Sequence, residues 1–135
     1  MSTPAIGDVI ASRALTLTRP DVVRYAGAST DFNPIHYSDR HARAIGLDGV
    51  IVHGMWTMGA ALAPVVEWAG GPEHLVDAQV RFTRPIAVPD DDQGVEVHIQ
   101  ATVSDIDEAG LITVALEVTC GDEPVLRAAK AVVRP

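Results

Sequence analysis

From Val95 onward, apolar and polar positions alternate with a period of two. Val95, Val97, Ile99, Ala101 and Val103 alternate with Glu96, His98, Gln100 and Thr102. Ile112, Val114, Leu116 and Val118 alternate with Thr113, Ala115, Glu117 and Thr119. Successive side chains on a strand point to opposite faces, so each run predicts a strand with one apolar face. Asp107-Glu108-Ala109-Gly110 and Gly121-Asp122-Glu123-Pro124 supply turns, and residues 125–133 predict a last strand. Residues 75–86 predict a less regular strand before these, and residues 10–17 a short one, with Leu15 and Leu17 sharing a face. Strands joined by short turns predict an antiparallel meander with one buried face.

Between these segments the spacing is helical. Thr18 predicts an N-cap, Pro20 is tolerated in the first turn, and Asp21 completes the capping-box pattern. That helix is predicted to run to about Ala26, with Val22, Tyr25 and Ala26 inward and Gly27 ending it. A second short helix spans residues 40–45, capped by Ser38 or Asp39 and closed by Gly46. The longest covers residues 55–68. Met55, Met58, Leu62, Val65, Val66 and Ala69 fall at helical spacing, Gly59, Ala60, Ala61 and Ala63 lie between them, and Glu67 is its one charge. A helix apolar on all sides is a buried helix. Pro64 removes the hydrogen bond to Ala60 and predicts a kink, and Gly70-Gly71-Pro72 stops the helix. One buried helix ahead of a curved antiparallel sheet predicts an α+β domain in which the sheet wraps the helix.

Composition narrows the function. The 135 residues predict one domain, 1–135, and the 47% apolar content argues against disorder. A formal charge of −8 makes nucleic acid and anionic membrane surfaces poor partners. No stretch reaches the length of a membrane span. A single cysteine, Cys120, fits a reducing compartment. Residues 1–12 lack a basic region followed by an apolar run, so a cytoplasmic location is expected.

The candidate chemistry lies in Asp31-Phe32-Asn33-Pro34-Ile35-His36. On a helix a five-residue offset would set the carboxylate and imidazole about 140° apart. Asn33-Pro34 is a turn signal, and across a bent segment the two side chains can converge as an acid–base pair. Asp31 and Asn33 also suit a plain turn in which each hydrogen-bonds its own backbone. Asp31, His36, His41 and His53 lack the spacing of any standard metal site, so no metal is expected. His41 and His53 suit structural or surface roles, His74 and His98 the surface, and Met55, Trp56 and Met58 the core or a pocket wall.

Tyr25-Ala26-Gly27-Ala28-Ser29-Thr30 leads into the 31–36 run. Asp39, Ala42, Gly46-Leu47, Ile51-Val52-His53-Gly54-Met55 and Val80-Arg81-Phe82-Thr83-Arg84-Pro85 follow it. Together they resemble the MaoC-like hydratase/dehydratase family. The resemblance extends to (R)-specific enoyl-CoA hydratases and to the catalytic B-type subunit of heterodimeric (3R)-hydroxyacyl-ACP dehydratases. It implies a hot-dog fold and reversible syn hydration of a trans-2-enoyl thioester on CoA or ACP, with no cofactor. It implies Asp31 and His36 as the catalytic pair, Asn33 as support for their loop, and the Gly54 backbone N–H as donor to the thioester oxygen. Arg81 and Arg84 are candidates for the anionic carrier, with Arg40, Arg43, Arg127 and Lys130 behind them. Ordinary exposed strand charges explain Arg81 and Arg84 somewhat more simply. Hot-dog proteins pair sheets edge to edge, which implies a homodimer or a heterodimer with a paralogous subunit. The family commonly has Gly where this chain has Thr30, and a β-branched residue is strained at positive φ. A non-catalytic thioester-binding subunit, a hot-dog thioesterase and a dimerisation module are the alternatives.

Overall fold

The computed structural model describes residues 3–134. Strand β1 (Val9–Leu17) leads into helices α1 (Arg19–Ser29), α2 (Asp39–Ala44) and α3 (Gly54–Ala69). Strands β2 (Leu75–Phe82), β3 (Val95–Ile106), β4 (Ile112–Cys120), the two-residue β5 (Glu123–Pro124) and β6 (Leu126–Val133) follow. All belong to one antiparallel sheet ordered β1-β3-β4-β6-β2, with β5 against β4. The pattern of two is realised on β3 and β4: Val97, Ile99, Ala101 and Val103, and Ile112, Val114, Leu116 and Val118, are all buried. The sheet curls around α3, which touches β1, β2, β3, β4 and β6. Ala61 and Val65 are fully buried there, and small side chains let helix and sheet approach closely.

The sheet is not a simple meander. β2 follows α3 in the chain yet pairs with the last strand, β6, at the far edge from β1. It also ends at Phe82 instead of continuing to residue 86. Beyond Pro85 the chain pairs instead with the segment before α3: Val52 N–H donates to Ile86 O (2.9 Å) and Val88 N–H to Val50 O (2.9 Å). Helix α3 runs through Pro64 without interruption, but it is not buried all round. Met55, Gly59, Ala63 and Glu67 form an exposed stripe one turn apart.

Helix α1 passes through Gly27 and ends at Thr30, whose φ of 60° is left-handed. The Asp21 carboxylate accepts from both the N–H and the hydroxyl of Thr18 (2.8 Å each), the reach-back its spacing predicts. At α2, Ser38 is the cap, accepting from His41 N–H. The acidic 90–92 turn is built by Asp91, whose Oδ1 accepts from Gln93 and Gly94. A polar hub joins these elements. Asp39 Oδ1 accepts from Arg19 Nη2 (2.7 Å) and Val50 N–H (2.9 Å), while Arg19 Nε donates to Val88 O (2.6 Å). Strand β6 carries one irregularity of its own. Between the pairs Gln79↔Lys130 and Arg81↔Arg127 it has one residue more than β2, and Ala128 takes a φ of 47°. This is a β-bulge.

Candidate active site

The left-handed turn at Thr30 releases the chain from α1, and a ladder of local hydrogen bonds folds the next six residues. Ser29 Oγ accepts from Asp31 N–H, Asp31 Oδ1 from Asn33 N–H, and Asn33 Oδ1 from Ile35 N–H, each at 3.2 Å. Pro34–His36 then makes a single tight 3₁₀ turn. Asp31 and Asn33 therefore do act as turn residues, and the turn is what brings the ends together. Asp31 Oδ2 lies 3.7 Å from His36 Nε2. Thr30 adopts the strained conformation itself, at a cost of about 1–2 kcal/mol.

His36 is anchored to the segment before α3. Ile51 N–H donates to Ile35 O (3.1 Å), and the His36 Nδ1–H donates to Ile51 O (2.8 Å). A carbonyl can only accept, so the neutral ring carries its proton on Nδ1 and turns the Nε2 lone pair toward Asp31. Burial holds the His36 pKa below the ordinary imidazole value. The bond to Ile51 pulls it up, His53 pushes it down, and Asp31 pulls it up. His36 is thus a neutral acceptor near pH 7. The two partners differ in environment: the Asp31 side chain is 52% exposed and that of His36 only 7%. Neither belongs to the apolar pattern of the sequence, yet His36 is buried, and the fold rests on it more than on Asp31.

His53 is the residue that sequence reasoning undervalued. It is 2% exposed, which rules out a surface role. Its ring stacks on His36 with centroids 3.7 Å apart and planes 20° apart, and the edge of Tyr25 meets it at 4.8 Å. Its Nε2–H donates to Asp31 O (3.0 Å), and its buried Nδ1 has no partner among the described residues. The signal for it was its position in a run of apolar residues directly ahead of a helix. Asp31, His36 and His53 together offer three ligand atoms within 4.8 Å of one another. Ring lone pairs lie in the ring planes, however, and two stacked planes do not converge on one ion.

Gly54 opens α3, so its N–H has no acceptor within the helix. The helix dipole adds partial positive charge at this point. A side chain at Gly54 would meet the Phe82 ring at 3.1 Å, so glycine is what lets Phe82 lie over the helix start. A cavity of about 450 Å³ opens here, lined by His36, Gly54, Thr57, Phe82, Arg84 and Leu126 among others. Its wall is largely apolar, a suitable volume for a small acyl group. Of the two arginines singled out, Arg84 reaches the cavity and pairs with Glu123 at 3.4 Å. Arg81 does not line it and stands across the ladder from Arg127. His74 Nδ1 donates to Arg134 O and His98 pairs with Glu96, both away from the site. Among the described residues, no helix is long and apolar enough to cross a membrane.

Residues 2–120 match the model of the MaoC like domain, and the chain belongs to that family. It is similar to 3-hydroxyacyl-thioester dehydratase X of Mycobacterium tuberculosis, with 39% identity over 75 residues, 56% of this chain and 26% of that protein. It is also 31% identical to the (R)-specific enoyl-CoA hydratase of Rhodospirillum rubrum over 81 residues, 59% of this chain and 56% of the relative. The chain thus spans from about a quarter to just over half of these relatives. Among solved structures, a MaoC-like dehydratase superposes with a TM-score of 0.91 at 29% identity, over 97% of this chain and 40% of that one. The (R)-hydratase from A. caviae superposes at 0.81 with 22% identity, over 99% and 98% of the two chains. The fold is the hot-dog fold.

Proposed function

We propose that this chain is a hydro-lyase that adds water reversibly, in the syn sense, to a trans-2-enoyl thioester on CoA or ACP, giving the (3R)-hydroxyacyl thioester. One observation carries the reading: two acceptors, Asp31 Oδ2 and His36 Nε2, face each other 3.7 Å apart, and His36 lines the same cavity as Gly54, the first residue of α3. That gap is too long for a direct hydrogen bond, and the neutral His36 ring has its one proton on Nδ1, turned to Ile51 O. A water over it donates one hydrogen to each. Its oxygen bonds to the β-carbon, its proton passes to the pair, and the pair returns a proton to the α-carbon. The π electrons move meanwhile onto the thioester oxygen, where the Gly54 N–H stabilises the developing charge. Asn33 holds the loop, and no metal or redox step is needed.

Arg84, at the cavity mouth, is proposed to meet the phosphates of the carrier. The test is loss of enoyl absorbance with crotonyl-CoA and with an enoyl-ACP. The expected result is turnover with at least one of them. In the Arg84→Gln variant KM should rise several-fold with kcat nearly kept, as lost uniform binding requires. Binding without turnover would instead support the non-catalytic subunit.

The chain is further proposed to act as one domain in the cytoplasm, as a dimer with itself or with a paralogous hot-dog subunit. The open sheet edges at β1 and β2 and the exposed Met55-Gly59-Ala63 stripe support the assembly. The solved relatives also include the ChsH1-ChsH2 complex from Mycobacterium tuberculosis, similar in fold with a TM-score of 0.83 at 22% identity, over 100% of each chain. Light scattering at micromolar concentration should read two chains per particle, and a stable monomer would refute it.

A further inference from the structure

We propose that His53 is a positioning residue for the acid–base pair, tethering the Asp31 backbone through its Nε2–H while its ring sets the plane of His36. The inference rests on the hydratase reading for its effect on turnover, but not for its geometry. Asp31 is half exposed, and its local bonds reach only its own loop. The bond from His53 is the long-range contact to its backbone, spanning 22 residues. The same ring lies flat on His36, and its own backbone carbonyl receives the N–H groups of Trp56 and Thr57 in the first turn of α3. One residue therefore touches the Asp31 loop, the His36 ring and the helix whose first N–H is offered to the substrate. A buried imidazole with an unpartnered Nδ1 is a costly way to fill space, and a leucine or phenylalanine would pack there without that penalty. What the histidine adds is a donor at a fixed distance from a stacking face.

The titratable groups facing His36 are Asp31, His53 and, behind His53, Tyr25. Two substitutions separate the contributions of His53. His53→Phe keeps the stacked ring and loses the donor, whereas His53→Gln places an amide N–H near Nε2 and loses the ring. With an enoyl-CoA substrate, His53→Phe should lose about 10–100-fold in kcat with KM within about three-fold, the scale of a small misplacement of reacting groups. His53→Gln should recover part of that loss through the restored donor, and what it does not recover measures the stacking face. NMR should show the Asp31 amide resonance displaced in His53→Phe, where the loop loses its tether, and the His36 ring resonances displaced in His53→Gln, where the ring loses its stacking face.

Parent-like kcat and a parent-like Asp31 amide resonance in His53→Phe would overturn the proposal. So would equal losses in two folded variants, or a failure of both to fold, which would make His53 a core residue. A parent without turnover would defeat the hydratase reading instead. The Asp31 amide resonance in His53→Phe would then still decide the placement, a displacement supporting it and an unchanged resonance overturning it.

Discussion

Asp31→Asn is expected to lower kcat for hydration of a trans-2-enoyl thioester by roughly 10²–10⁴-fold. The amide keeps the shape, and its oxygen still accepts from Asn33 N–H, so the turn survives. It cannot take a proton from water. At about 1.4 kcal/mol per tenfold, the loss corresponds to about 3–5 kcal/mol of barrier. His36→Ala should cost a similar factor. The double variant should fall little further, because two groups sharing one water act as a unit.

The variants should part in stability. Asp31 is half exposed, and its variant should melt close to the parent. His36 is buried, and removing it leaves the Ile51 carbonyl without its donor, at about 1–3 kcal/mol. Steady-state kinetics and thermal melts of the three variants check this. Near-parent hydration by Asp31→Asn would sink the assignment. Because burial depresses the His36 pKa, activity should persist below the ordinary imidazole value of 6.5 and fall only as pH drops through the lowered one. Stability follows the same sign. Its contribution is whole above 6.5, where the ring is neutral in both states, and is lost as pH falls toward the folded value.

The second large effect should come from Asp39→Ala, outside the Asp31–His36 pair. Asp39 accepts two charge-assisted bonds that tie α2 to Arg19 and to the Val50 backbone. Its removal strands an arginine that is only 18% exposed. The expected cost is about 2–3 kcal/mol, less than for a fully buried pair because both groups keep some solvent. Arg19 and the Val50 N–H hold the Asp39 pKa below its ordinary value. The stabilisation is therefore complete above the ordinary value of 3.8 and is lost as pH falls through the lowered one. Urea unfolding at pH 7 and near pH 3 should show a gap between parent and variant that narrows in acid. A gap under about 0.5 kcal/mol at pH 7 would remove the hub from the account.

What the sequence revealed was what its physics makes local. The inward faces of β3 and β4 follow from the pleat alone, and of the nine expected positions eight, Val97 to Val118, are buried, while Val95 at the start of β3 is half-buried. The Asp31–His36 convergence was legible because proline and two short polar side chains act within six residues. Gly27 misled because glycine only weakens a helix, and the end was set where Thr30 turns left-handed, which threonine does not signal. The place of β2 was hidden because a strand's partner is a property of the whole sheet. His53 was hidden for a related reason. Its stacking on His36 joins residues 17 apart through the anchoring of Ile51, and nothing in either local pattern encodes that contact.

The bulge at Ala128 changes what a missing residue would do. In a regular strand, deleting one residue turns every side chain beyond it to the opposite face. In β6 the extra residue is already absorbed: Ala128 and Ala129 together oppose Val80, and Leu126, Ala129, Ala131 and Val133 all point inward. Deleting Ala128 would leave Leu126 facing the cavity and Arg127 facing solvent, with a straighter ladder and no left-handed residue. A deletion between Ala129 and Val133 would instead bring a charge inward. The strand can thus be shortened in place at one position. What would be forfeited there is the local twist next to Val125 and Leu126, which line the cavity, so the pocket could be reshaped by chain length alone while the core sequence stays fixed.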